Sequence, residues 1–230
     1  MALAVLSALL LGCPPVAATT LRPELASAAT SPLALSDALQ KLIAEGKDTA
    51  DDRQAAYDLV VKLSASTAGD AFARAAIAGR LAESKGALAL LGTDSPTALV
   101  SEAEHWALKS IRADPNFRRQ AARRLLGSLY ALAPANLLEG GDSEDGISIL
   151  EKLVEQDPLL TENHLRLAEA YIALGDKDSA RVPLCHTISK IAELRADELK
   201  LLDSLRKEFD DLECAAAPAA PETSPSSPGG

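Results

Sequence analysis

The chain has 230 residues, a net charge of −10 and three histidines. Ala and Leu supply 44 and 39 of those residues, against 7 Val, 8 Ile and seven aromatics, a balance that favours helices and all but excludes a sheet-based domain. The acidic surplus excludes the basic surface that nucleic acid needs, and also adsorption to anionic lipid, while 47% apolar content suffices for one globular core.

Residues 2–12 are apolar apart from Ser7. A bilayer span needs ~20 such residues, so this run matches the hydrophobic region of a secretory signal instead. It closes in Leu10-Leu11-Gly12-Cys13, which resembles the lipobox of bacterial lipoproteins. The resemblance implies that Cys13 is diacylated, becomes the first mature residue and tethers the chain to the periplasmic side of a membrane. No Lys or Arg precedes the apolar run, since the first cationic side chain is Arg22. Val16-Ala17-Ala18 offers the alternative, a small-residue cleavage site that releases the chain to the periplasm. The expected organisation is a signal segment over 1–18, a flexible Ala/Thr/Ser/Pro-rich tether over 19–35, a helical domain over 36–213 and a disordered tail over 214–230.

Within the domain the expected elements come in pairs. Ser36–Glu45, with Ser36 as N-cap, precedes Asp51–Ala65, whose acidic start suits a helix dipole. Asp70–Ala82 partners a helix through Ala103, Trp106 and Ser110 that stops near Asp114-Pro115. The third pair carries Leu126-Gly127-Ser128-Leu129-Tyr130 on its first helix and Gly146 and Leu150 on its second, with an extended loop over 133–140 because Pro134 cannot continue a helix. The fourth carries Leu167-Ala168-Glu169-Ala170-Tyr171, a Gly175-Asp176 turn, then Ala180 and Leu184. A last helix is expected over Glu198–Leu212 with Asp197 as cap. Its Leu199, Leu202, Leu205 and Phe209 make one apolar stripe that can cap the stack. The fold expected is therefore all-α, an α-α superhelix of four helix pairs and a C-terminal capping helix.

The Leu-Gly/Ala-Tyr spacing on the first helices and the Ala/Leu spacing on the second resemble the tetratricopeptide repeat, clearly over 120–190 and in degenerate form over 36–119. That resemblance implies a protein-binding module whose first helices line a concave groove. The groove positions it implies are Arg124 and Ser128 in one repeat and Leu165 and Glu169 in the next, with Arg166 beside them. The lipobox, the degenerate repeats and the Leu129-to-Asp142 segment together resemble the repeat lipoproteins associated with TRAP-type periplasmic transporters. This narrower likeness implies a periplasmic solute-binding protein as partner and a homo-oligomeric state. A scaffold for outer-membrane or pilus assembly is the alternative within the same fold.

No nucleophile elbow, phosphate loop, zinc-protease or dinucleotide motif is present, so neither an enzyme nor a cofactor is expected. Asp142-Ser143-Glu144-Asp145-Gly146 has the wrong glycine position for a calcium loop and reads as capping of the next helix. Without a CxxC motif and with few imidazoles, no metal site is expected. Cys185 and His186 are neighbours on a helix and point about 100° apart, so they do not form a nucleophile–base pair. Cys185 and Cys214 either pair in an oxidising compartment or remain free thiols. Arg118, Arg119, Arg123 and Arg124 form a basic cluster, read either as a solvated face paired with acids or as a site for an acidic partner.

Overall fold

A computed structural model describes residues 21–85, 96–134 and 137–214. The signal segment, Cys13 and the tail beyond Cys214 lie outside the described residues. The described part is helical throughout: α1 (Pro23–Ala28), α2 (Pro32–Ala44), α3 (Ala50–Val60), α4 (Ala68–Lys85), α5 (Pro96–Ala113), α6 (Phe117–Leu132), α7 (Ser143–Gln156), α8 (Thr161–Ala173), α9 (Lys177–Ser189) and α10 (Ala196–Arg206). Among the described residues, no helix is long and apolar enough to cross a membrane.

Sequence neighbours pack as antiparallel pairs, α2 with α3, α4 with α5, α6 with α7 and α8 with α9. The first helices also touch in succession, α2 on α4, α4 on α6 and α6 on α8, as a stacked α-α superhelix requires. Small residues set the pair spacing. The α4 interior is Ala71, Ala73, Ala75, Ile77, Ala78 and Leu81, all 1% exposed or less, so α5 can approach closely. Gly127 of α6 lies where an added Cβ would stand 2.9 Å from Leu150 of α7. Leu150, Leu153, Leu167, Ala170 and Ala131 fill the junction between the third and fourth pairs.

Capping follows the expected chemistry in several places. The Asp142 side chain accepts from the Glu144 and Asp145 backbone N–H groups at 2.9 and 3.1 Å, and Asp145 accepts from the Asp142 N–H at 3.3 Å. The acidic run thus forms a capping box. Thr49 and Asp52 do the same for α3.

Three local expectations change, one open alternative is resolved, and one turn is new. The segment read as a flexible tether holds α1, a helix with Pro23 in its first turn and Leu25 fully buried in the first core cluster. Ser31, not Ser36, caps α2 by accepting from Ala34 N–H, and Ser36 is buried one turn inside. At the other end α10 stops at Arg206, and Asp197 lies inside its first turn. Cys185 and Cys214 are joined as a disulfide across a separation of 29 residues. Finally, α6 opens with a left-handed turn: Arg118, Arg119 and Gln120 have φ of 47°, 54° and 62°, a conformation that costs an L-residue ~1–2 kcal/mol each. The turn aims its side chains outward to partners. Arg118 binds both oxygens of Asp37 at 2.6 and 2.7 Å, and Arg119 donates to Asp157 at 2.9 Å.

Candidate functional site

The first helices should line the binding groove, and the geometry there is decided by α10. This helix packs on α8 and α9 at one end of the stack and also on α2 at the other. Its apolar side carries Leu202 and Leu205 into a cluster with Leu165, Ala168 and Leu184. Its first turn reaches the first two pairs. Gln40 of α2 donates to Asp197 at 3.3 Å, Arg80 of α4 lies 3.6 Å from the same carboxylate, and Arg80 donates to Gln40 at 3.2 Å. The inner face is thereby bridged from its last pair to its first by this chain's own C-terminal helix.

Of the four polar groove candidates Arg124 is buried, and Ser128, Arg166 and Glu169 are half-buried. Arg124 is 8% exposed. It pairs with Glu162 at 2.9 Å and donates to Asn163 Oδ1 at 3.1 Å, while Asn163 donates to the Leu153 carbonyl at 2.9 Å. Burial pulls the Arg124 guanidinium below its ordinary value, against the attraction of Glu162. Arg166 pairs with Glu169 at 2.8 Å within α8. Burial works against its charge, but Glu169, Glu162 and Glu83 outweigh it and hold Arg166 above its ordinary value. The Ser128 hydroxyl is buried without a hydrogen-bond partner, and Leu165, the apolar groove position, is fully buried.

Glu162 joins this network to α10. Its second oxygen faces Arg195 at 3.7 Å, and Arg195 in turn meets Glu198 at 2.7 Å. Glu198 is 3% exposed; burial raises its carboxyl above the ordinary range, with the Arg195 backbone N–H and guanidinium pulling the other way. A chain of alternating charges, Arg124–Glu162–Arg195–Glu198, thus runs from α6 across α8 into α10. Arg124 and Glu162 sit on successive first helices, as repeat stacking implies. Arg195 and Glu198 join them through a contact that local sequence patterns do not announce.

The basic cluster divides in two. Arg118 and Arg119 lie in the exposed left-handed turn with acidic partners, Arg123 donates to Gln120 at 2.6 Å, and Arg124 is internal. The solvated, acid-paired reading therefore describes Arg118 and Arg119, and only them.

Three further constellations lie elsewhere in the stack. A cleft of about 610 Å³ runs along α5 beside Glu102, Glu104, His105 and Gly140. Glu104 is engaged on both oxygens, accepting from Tyr130 Oη at 2.9 Å and from the Glu139 and Gly140 N–H groups at 2.9 and 2.7 Å. It clamps the long α6–α7 loop. Arg74 at 4.4 Å and Lys109 at 4.2 Å stand over the Trp106 ring, and the Arg74 contact is a cation–π packing of α4 on α5. At the far pair, His164 and His186 stack with ring centroids 3.7 Å apart. No sequence pattern announces this pairing, because the stack depends on how α8 and α9 cross.

Residues 137–182 match the tetratricopeptide repeat family, a stretch that takes in α7, α8 and the first half of α9. No curated protein matches the sequence. Residues 137–182 thus resemble a tetratricopeptide repeat, set within paired helices that stack among the described residues.

Proposed function

We propose that this chain is a non-enzymatic protein-binding module held on the periplasmic side of a bacterial membrane by a lipid on Cys13. The pairing of Cys185 with Cys214 is the observation that carries the compartment, because such bonds persist in exported proteins and are rare in a reducing cytosol. The apolar segment closing in Gly12-Cys13 supplies the export and anchoring chemistry. The working partner is the solute-binding protein of a TRAP-type periplasmic transporter, a reading that rests on the likeness of the repeat segment and lipobox to that group of lipoproteins.

Metabolic labelling with a clickable palmitate tests the anchor. Wild type should be labelled and Cys13→Ser should not. Equal labelling of both, or none with the chain free in the periplasm, overturns the anchor and leaves cleavage after Ala18. Co-purification from solubilised membranes tests the partner: a solute-binding protein supports the reading, and barrel or pilus assembly components replace it with the scaffold alternative.

A further inference from the structure

Helix α10 is docked through Leu202 and Leu205, with the half-buried Leu201 beside them. Of its eleven residues only Glu198, Leu202 and Leu205 are buried, and a helix of that length does not persist alone in water. Its polar contacts are Asp197 with Gln40 and Arg80, and Arg195 with Glu162. After α10 the chain returns along α9. There Lys177 pairs with Glu208 and Arg181 with Asp211, and all four side chains are 40% or more exposed, so these pairs hold it weakly, beside the half-buried Phe209 and Leu212 on the apolar cluster. The strong tether is covalent. The Cys185–Cys214 disulfide closes a loop that contains the whole of α10.

We propose that α10 is a displaceable occupant of the inner face, held there by the Cys185–Cys214 disulfide, and that the site it covers takes an acidic amphipathic helix of a partner protein. The occupant itself defines the chemistry. An acidic first turn meets the Arg80 guanidinium and the Gln40 amide, and leucines one and two turns later enter the pocket of Leu165, Ala168 and Leu184. A partner helix with Asp or Glu in its first turn and Leu at the spacing of Leu202 and Leu205 reproduces each contact. This inference rests on the chain being a protein-binding module; it does not rest on the membrane tether. The opening step is thiol–disulfide exchange with a dithiol oxidoreductase. One thiolate of the dithiol attacks one sulfur of the pair, giving a mixed disulfide and releasing the other cysteine as thiolate. The second thiol then displaces the first cysteine. The dithiol is oxidised to its disulfide, and its two electrons and two protons end on Cys185 and Cys214.

The test uses the full chain, oxidised and after dithiothreitol, followed by amide hydrogen exchange. The probe is a fluorescent peptide with the sequence of residues 193–208, read by anisotropy. On reduction, the α10 amides should exchange at least tenfold faster while those of α4 and α8 keep their rates. A second form, Leu205→Asp, expels α10 from its pocket in cis; in its reduced state it should bind the peptide saturably. The same peptide with Asp197→Lys and Glu198→Lys should bind at least tenfold more weakly. Unchanged α10 exchange on reduction overturns the tether, as does equal acceleration in every helix. Rapid α10 exchange with no peptide bound to reduced Leu205→Asp overturns the site, and equal binding of the charge-reversed peptide overturns its acidic preference. None of these outcomes bears on Cys13 labelling, so the anchor and the covered site fail separately.

Discussion

Gly146 of α7 lies against the backbone of α6 at Gly127: a Cβ added to Gly146 would stand 2.8 Å from the Gly127 carbonyl oxygen and 2.5 Å from the Ala131 nitrogen. Backbone cannot swing aside as a side chain can, so the crossing of the third pair is fixed by the absence of one methyl group. Gly146→Ala should destabilise by ~1–3 kcal/mol through overpacking. Gly79 of α4 has nothing within 4 Å of its would-be Cβ, so Gly79→Ala should stabilise by ~0.5–1 kcal/mol from helix propensity alone. Chemical denaturation of both variants reads the two signs, and a neutral Gly146→Ala would refute the close crossing.

The left-handed turn that opens α6 makes a prediction of unusual sign. Gln120 has φ of 62°, where glycine relieves the Cβ clash. Gln120→Gly should therefore stabilise by ~0.5–1 kcal/mol, less the small contributions of its hydrogen bonds with Gln156 and Arg123. Were the segment an ordinary right-handed first turn, the same change would cost ~1 kcal/mol. The direction of the midpoint shift decides between the two.

Arg124 and Arg118 look alike in sequence and should behave differently. Arg124→Ala leaves Asn163 Oδ1 without its donor and Glu162 with only the more distant Arg195, and loss of one member of this part-buried pair should cost ~2 kcal/mol or more. Arg118→Ala removes an exposed pair with Asp37, with both side chains above 40% exposure, worth ~0–1 kcal/mol. Thermal melts followed by circular dichroism compare them, and equal losses would contradict the interior placement of Arg124.

The stacked histidines give the pH dependence. Burial lowers His164 below its ordinary 6.5, with the hydrogen bond to the Pro158 carbonyl opposing, and burial followed by the neighbouring His164 lowers His186. The folded state thus binds fewer protons than the unfolded chain in this range. The contribution of the pair is fully present above about pH 6.5 and is lost as pH falls through the lowered native values. Glu198 acts with the opposite sign, since its raised carboxyl favours the folded state at low pH. His186→Phe keeps a flat ring against His164 and removes one titration. Between pH 7.5 and 5.5 the wild type should lose more stability than His186→Phe. Equal losses of urea midpoint in wild type and His186→Phe between the two pH values would contradict the neutral stack.

The sequence carried the paired helices because their signals are local. Gly127, Gly146 and Ala168 sit at repeat spacings, and Asp142 sits three residues before Asp145, so each can be read within a single turn or crossing. The helix at Pro23–Ala28 escaped because six residues are too few to show a period. Leu25 becomes a core residue only through contacts with α2 and its neighbours. Arg124 was legible as a groove position and illegible as an internal one, since a polar residue on a helix reads the same whether it faces water or the carboxylate of the next first helix. The closure by α10 was hidden for the same reason: Gln40 and Asp197 are 157 positions apart, and no periodicity reports a contact of that range.

The bridge from α10 to α2 is the claim on which the covered inner face depends, and a short bismaleimide reagent tests it directly. In the chain with its Cys185–Cys214 disulfide intact, Gln40→Cys together with Asp197→Cys should give an intramolecular cross-link, read by mass spectrometry as one linked pair of peptides carrying positions 40 and 197. Two singly modified cysteines, or links only between separate molecules, would show that α10 does not reach α2 and that the inner face of the repeats is open.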